Sequence, residues 1–287
     1  MIPTATTPSY RCAGHVAART VVVGDVHGCA DELWSLLDAC EFRRTDALVS
    51  VGDLVDRGPK SVEVMRFFRG TENAWSALGN HDRLLAASIR GTRTPRWSQA
   101  QTIERIASED RRQWADFLET LPAVVETPHA IVAHGRLDPT VLLEAQDPYF
   151  TAAVGGDSVV IDVTADGVPL WFLGRPWPKT ICFGHTRWPR VELVPDRLYA
   201  LDTNAVGGGH LTAIVLPQRR IVSVPAAHDY HTAALASWRL ARVAEDTRLE
   251  SWSLKRVARV LNAASIATAL GGQVKTGQSW TSENRPP

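Results

Sequence analysis

The sequence predicts an α/β (α+β) fold, and three observations carry that reading. Short apolar runs stop abruptly at Gly-Asp, Gly-Asn or His-Gly pairs. Two of the early runs lead, across a polar loop, into a stretch with helical spacing, and this strand–loop–helix rhythm fills the first 90 residues. Such a rhythm gives a largely parallel sheet, whose reactive residues sit in the loops at the C-terminal ends of its strands.

Residues 1–18, rich in Thr, Pro and Ala and without periodicity, are expected to form a flexible arm. Thr20-Val21-Val22-Val23 is the first strand, halted by Gly24-Asp25. From Ala30 to Cys40 the leucines 33, 36 and 37 recur at helical spacing, with Asp31 and Glu32 in the first turn, where the helix dipole favours acids. Ala47–Val51 is a second strand ending at Gly52-Asp53, Ser61–Phe68 a second helix, and Ala74–Leu78 a third strand ending at Gly79-Asn80. Residues 97–121 are amphipathic, with Ile103, Ile106, Trp114, Phe117, Leu118 and Leu121 as the apolar set, and read as a helical insertion or lid. Ala130–Ala133 leads into His134-Gly135. Residues 158–183 are expected to be strand-rich (SVVIDV, PLWFL, TICF) and deliver His185. Arg197–Leu201 and Leu211–Leu216 are two later strands. One catalytic domain therefore spans 19–230, followed by a helical appendage at 231–271 and a disordered tail at 272–287.

The bulk properties narrow the function classes. Lys+Arg and Asp+Glu both number 31, so no global field draws in nucleic acid, and duplex binding is disfavoured. The basic residues near the C-terminus are interleaved with acids and read as a solvated helix face. A phosphate-bearing partner must then be held by local charge, which bound cations would add. Four cysteines without a CxxC pair argue against a disulfide framework. No secretory pattern opens the chain and no apolar run approaches the roughly 20 residues that span a bilayer, so a cytoplasmic location with no membrane partner is expected.

The chemistry lies in five loops. Gly24-Asp25-Val26-His27-Gly28 sets a carboxylate and an imidazole two residues apart, facing one side in extended geometry. Gly52-Asp53-Leu54-Val55-Asp56-Arg57-Gly58 puts a carboxylate directly after its strand and adds a planar guanidinium suited to phosphate oxygens. Gly79-Asn80-His81-Asp82 offers a neutral oxygen ligand and a titratable ring. His134 and His185 each follow an apolar run. Taken singly, each reads as readily as a turn, a surface ion pair or a structural histidine. Together they present Asp, His or Asn at five successive strand ends. That mixed N/O set suits two adjacent Mn²⁺, Fe or Zn²⁺ ions, rather than a thiolate or all-oxygen site.

The motifs GDVHG, GDLVDRG, GNHD, HG and GHT, in this order over residues 21–216, resemble the phosphoprotein phosphatase family within the calcineurin-like metallophosphoesterases. GCADELWSLL, RGPKSVEVMRF, LGNHD and WADFLETLP are similar to bacterial symmetrical diadenosine tetraphosphatases. LDTNAVGGGHLTAIVLP resembles a strand pair shared with bacterial serine/threonine protein phosphatase-like members. The resemblance implies a four-layer sandwich of central β-sheets flanked by helices, with a C-terminal helical appendage. It further implies that Asp25 and His27 bind one metal ion, that Asp53 bridges two, and that Asn80, His134 and His185 bind the second. Mn²⁺ is the expected metal, with Fe, Zn²⁺ or Co²⁺ as alternatives. Arg57 would clamp phosphate beside Asn80, and His81, paired with Asp56, would protonate the leaving oxygen. Two cations would generate a hydroxide at neutral pH and align it for in-line attack. The implied activity is hydrolysis of phosphoanhydrides or phosphomonoesters. A diadenosine tetraphosphate-type nucleoside polyphosphate ranks first, a phosphoprotein is the alternative, and a catalytically inactive metal-binding scaffold is the lesser alternative. Asp82 matches the tetraphosphatases and Asp56 the protein phosphatases, so these two positions point in different directions. The family's second phosphate-binding arginine has Arg175 as its candidate here, with Arg136 behind it. Trp171, Trp177 and Trp188 lie near site loops and could stack a base, or simply pack.

Overall fold

The computed structural model of the chain describes residues 8–13, 17–153 and 162–246. In chain order it holds β1 (Tyr10–Cys12), β2 (Thr20–Val23), α1 (Ala30–Ala39), β3 (Ala47–Ser50), α2 (Ser61–Gly70), β4 (Ala74–Ser76) and α3 (Asn80–Ile89). There follow α4 (Trp97–Arg105), α5 (Arg111–Glu119), β5 (Val124–Glu126), β6 (Ala130–Ala133), α6 (Pro148–Thr151) and α7 (Leu170–Leu173). The remainder is β7 (Thr180–Phe183), β8 (Glu192–Val194), β9 (Leu198–Ala200), β10 (His210–Leu216), β11 (Arg220–Pro225) and α8 (Tyr230–Asp246).

The strands make two sheets, ordered β11-β10-β2-β3-β4 and β1-β5-β6-β7-β9-β8. Both are mixed: the parallel pairing expected from the first 90 residues holds for β2, β3 and β4, but it does not extend over either whole sheet. β2, β3 and β4 pair in parallel, but β10 lies antiparallel to both β2 and β11. In the second sheet β6, β7 and β9 are parallel, β5 runs against β6 and β8 against β9, and β1 pairs in parallel with β5.

The period-2 alternation of strand side chains sorts the valines between two cores. Val22, Val49 and Val51 of the first sheet join Val125, Val132, Cys182 and Tyr199 of the second, so the sheets stack face to face. Their neighbours Val21, Val23 and Leu48 point the other way and pack under the apolar stripes of α1 (Leu33, Leu36) and α2 (Val64, Met65). On the far face of the second sheet, Ile131, Ala133, Ile181 and Phe183 are covered by Phe172 of α7, Leu143 and Trp177. Helices, sheet, sheet and a thinner layer of turns and short helices give the four-layer sandwich.

Four local expectations are revised. Residues 10–12 are not part of a loose arm: Tyr10–Cys12 pairs in parallel with β5, and the Tyr10 hydroxyl donates to Glu126. PLWFL is helical at Leu170–Leu173, because a short apolar run carries no period of its own to separate strand from helix. Of SVVIDV, residues 158–161 lie outside the described residues, and Val163 makes only an isolated bridge to Pro169. Residues 97–121 are packed in as a wall rather than a detached lid: Ile106, Trp114, Leu118 and Leu121 belong to the same core as α1 and α2.

A second unit begins at Thr232, and of it the α8 residues up to Asp246 are described. The appendage beyond residue 246 and the tail at 272–287 lie outside the described residues.

Candidate active site

Parallel pairing of β2, β3 and β4 brings their C-terminal ends to one edge, and with them Asp25, His27, Asp53, Asn80 and His81. The parallel pair β6–β7 does the same for His134 and His185. Hydrogen bonds across the seam align the two edges. The His185 N–H donates to both oxygens of Asp25 at 3.2 Å, and His134 Nδ1 lies 3.1 Å from the Val51 carbonyl. All seven residues named from the sequence as donors or acid are therefore brought together, with Asp56 and Arg57 beside them.

Backbone strain concentrates at these positions. His27, Asp53, Asp56, Arg57 and His185 all adopt positive φ (45–73°) without being glycine. Such conformations cost on the order of 1–3 kcal/mol each and cluster at functional sites. Gly52, at φ 114°, cannot be replaced cheaply, since a Cβ there would lie 2.8 Å from His134 Nδ1.

Asp53 is the hub. His27, Asp53 and His81 form one group whose donor atoms lie within 4.8 Å of one another, and Asp53, His134 and His185 form a second. The His27 Nε2 is 3.4 Å from Asp53 Oδ2, and the His134 Nε2 is 3.5 Å from Asp53 Oδ1. Both rings turn Nδ1 toward a backbone carbonyl, of Val55 (2.8 Å) and Val51 (3.1 Å) respectively. A carbonyl only accepts, so Nδ1 carries the proton and Nε2 presents its lone pair to the site.

That assignment provides a test of fit for a metal. His134 Nε2 and His185 Nδ1 each lie 3.0 Å from Asn80 Oδ1. At His134 two lone-pair carriers therefore face one another, beside a carboxylate. Such an arrangement is repulsive unless a cation sits among the donors, and imidazole, carboxylate and carbonyl oxygen are a set that divalent transition metals accept. The acids give the same indication. Burial, then the neighbouring Asp202 and Asp53 charges, push the Asp25 carboxyl well above its ordinary range. Burial also pushes Asp53 up, but His134, His81, His27 and His185 together outweigh it and hold Asp53 below the usual carboxylate range. Burial, then Arg57, pushes His27 down. Carboxylates this desolvated need compensating positive charge.

Further contacts fix the pairing of His81 with Asp56. The His81 Nδ1 lies 2.8 Å from Asp56 Oδ2, and the Asp56 side chain is fully buried. The Thr102 hydroxyl donates to Asp56 Oδ1 at 2.8 Å and the Gln99 amide donates to Oδ2, both from α4. The Asp56 N–H donates to Ser61 Oγ (3.1 Å). Asp82 accepts the N–H groups of Asp53 (2.9 Å), Leu54 (2.9 Å) and Gly79 (3.0 Å), tying the second and third loops together. Arg57 reaches into the cluster, its Nη1 3.2 Å from His27 Nε2.

The expectation for Arg175 is corrected. Its guanidinium donates to the Val141 carbonyl (2.8 Å) and lies over the Trp177 ring (4.5 Å), away from the donor cluster. Arg136 stacks on Phe150 at 3.9 Å. The arginine whose charge does reach the site is Arg187, exposed two residues after His185, which acts on Asp202 together with Arg57. The sequence reading passed over Arg187, Asp202, Gln99 and Thr102. For Arg187 the adjacency to GHT was a usable signal, and for Asp202 its place just past the expected strand Arg197–Leu201, whereas Gln99 and Thr102 had none. Trp171, Trp177 and Trp188 all pack on the second sheet's outer core.

Fold and donor set together define a metallophosphoesterase, a class that hydrolyses phosphate esters with bound divalent metal. The chain belongs to the calcineurin-like phosphoesterases, whose family model matches residues 18–210. It is 36% identical over 255 residues to a symmetrical bis(5'-nucleosyl)-tetraphosphatase of Vibrio parahaemolyticus, covering 68% of this chain and 94% of that relative. It is 41% identical over 120 residues to the enzyme of the same name from Vibrio vulnificus; there the match spans 41% of this chain and less than half (44%) of the relative. A crystal structure provisionally assigned as a diadenosine tetraphosphatase superposes with a TM-score of 0.63 at 30% identity, covering 76% of this chain and 98% of the other. No helix among the described residues is long and apolar enough to cross a membrane.

Proposed function

We propose that the protein hydrolyses a nucleoside polyphosphate of the diadenosine tetraphosphate type, with two Mn²⁺ ions as its cofactors. The observation that carries the chemistry is the pairing of His81 with the buried Asp56 (2.8 Å) beside two donor groups that share Asp53. The substrate class is supported by the tetraphosphatase relatives, one of them matched over 94% of its length.

In this reading Asp25, His27 and Asp53 hold one cation, and Asp53, Asn80, His134 and His185 the other. When bound, such a pair lowers the pKa of water and neutralises charge developing on phosphorus. The chain's own groups do the rest. Arg57 grips phosphate oxygens through its planar fork, with Asn80 beside it. Asp56 keeps the His81 Nδ1–H directed inward, which leaves Nε2 to carry the proton delivered to the leaving oxygen as its bond to phosphorus breaks. Gln99 and Thr102 prevent Asp56 from rotating away. Water supplies the oxygen and both hydrogens of the products, so atoms balance without another reactant.

The test compares diadenosine tetraphosphate with a phosphopeptide at matched enzyme and Mn²⁺ concentrations, with a titration of Mn²⁺, Fe²⁺, Zn²⁺ and Co²⁺ alongside. Chromatography of the products shows whether the central or an outer anhydride is cut. The dinucleotide is expected to be the better substrate, and activity is expected to vanish with chelator and return with Mn²⁺. A phosphopeptide preference of about tenfold or more would instead make the protein a phosphoprotein phosphatase. Turnover of p-nitrophenyl phosphate with added Mn²⁺ no higher than with excess chelator would favour the inactive scaffold.

A further inference from the structure

The segment after β11 returns to the active-site edge and is fastened there. The buried Glu32 carboxylate on α1 accepts the Ala227 N–H (3.0 Å) and the Tyr230 hydroxyl (2.9 Å), and the His231 N–H donates to the Val206 carbonyl (2.8 Å). These bonds hold the His231 ring edge-on to Trp97, with ring centroids 5.3 Å apart at 69°. Trp97 opens α4 two residues before Gln99, whose amide reaches Asp56 and lies 3.5 Å from His81 Nδ1. The His231 ring is also within electrostatic reach of Arg57 and His81, which puts the corner on the side of the site where His81 pairs with Asp56. Both side chains are half-buried, so each leaves part of its ring surface open.

Charges around the corner point the same way. His231 is pushed below the ordinary imidazole range by burial first, then by the Arg57 charge. His81 and Arg187 add to this, and Asp229 acts in the opposite sense. A neutral ring with two guanidinium groups in electrostatic reach is a fitting neighbour for the junction between a base and its phosphates. Any base presents a π-face to an aromatic side chain, whatever its sequence of donors and acceptors.

We propose that Trp97 and His231 form the corner that holds the nucleoside end of the substrate, one ring stacking the base and the other meeting its edge. This assignment deepens the reading of the site as a nucleoside polyphosphatase and rests on it. It predicts a division of labour: Arg57 and the metal-binding groups hold the phosphate chain, and the corner distinguishes a nucleotide from a bare polyphosphate.

The test uses the full chain loaded with Mn²⁺ and measures binding calorimetrically, with ADP and pyrophosphate as probes. Trp97→Ala and His231→Ala are each expected to weaken ADP binding by roughly tenfold, with pyrophosphate affinity changed less than about twofold. Trp97→Phe is expected to retain most of the ADP affinity, which separates lost stacking from disturbed folding. ADP affinity unchanged in both alanine variants would overturn the corner, and so would an equal loss for both probes. Because binding is read without turnover, the two levels fail separately. A wild-type protein that does not cleave diadenosine tetraphosphate sinks the proposed activity, while the ADP-against-pyrophosphate comparison still decides the corner.

Discussion

Thr102→Val isolates one hydrogen bond to the buried acid of the site. The substitution exchanges a hydroxyl for a methyl of similar size, so it leaves no sizeable cavity in α4. It leaves Asp56 Oδ1 without the donor that sits 2.8 Å away, on a carboxylate whose side chain is fully buried. Hydrogen bonds to charged groups contribute about 1.5–3 kcal/mol. For a domain of this size each kcal/mol shifts Tm by about 2–4 °C, so the expected loss is roughly 3–12 °C, read by differential scanning calorimetry. Part of the same energy holds the His81 ring through Asp56 Oδ2. If all of it were lost from the transition state, kcat would fall by up to roughly 10²-fold. Thr102→Ser restores the hydroxyl and is expected to recover most of both. A Thr102→Val protein with Tm within about 1 °C of wild type and unchanged kcat would show that the Thr102 hydroxyl does not restrain Asp56.

Further outcomes follow from other parts of the molecule. His81→Ala is expected to lower kcat by about 10²–10⁴-fold on an alkyl phosphate or a nucleoside polyphosphate, but much less on p-nitrophenyl phosphate, whose phenolate departs without a proton; equal losses on both would remove His81 from the role of acid. Gly52→Ala places a Cβ 2.8 Å from His134 Nδ1 at φ 114°; it is expected to lower Tm and weaken Mn²⁺ binding together, and unchanged Mn²⁺ binding by calorimetry would break that link. Burial pushes the Cys40 thiol up to about 11 and raises Cys29 and Cys182 further, whereas Cys12 is exposed. Iodoacetamide at pH 8 is therefore expected to modify Cys12 alone in the native protein and all four thiols after denaturation, as counted by intact mass.

Much of the site was legible because its residues share one local context. Asp25, Asp53, Asn80, His134 and His185 each stand just past an apolar run, and parallel pairing then gathers those run-ends at one edge. Nothing comparable marks Gln99 or Thr102. They lie 43 and 46 residues from Asp56, on a helix whose amphipathic pattern reports only that one face is buried. The same asymmetry explains the strands. Fully buried runs such as β2 and β3 are conspicuous, whereas β1, β5 and β8 hold three residues each, too few for a period to show. The mixed character of the sheets was invisible for a related reason: β10 joins β2 across some 190 residues, and such a pairing leaves no local trace. Arg175 was the candidate for a second phosphate-binding arginine, but the partners that captured it, Val141 and Trp177, were set by tertiary packing.

The position of β10 also sets a timetable for the growing polypeptide. β2 is the first strand of its sheet to be synthesised, yet its second neighbour is not made until residue 216. At the usual pace of roughly 5–20 residues per second, an early edge of Thr20–Val23 stands open for on the order of ten seconds or more. His134 and His185 arrive within that interval, so on the proposed ligand set a nascent chain would carry Asp25, His27 and Asp53 as an incomplete chelate. Cation capture there would be deferred until translation is well advanced, and the emerging protein has a period in which edge protection by a chaperone matters most.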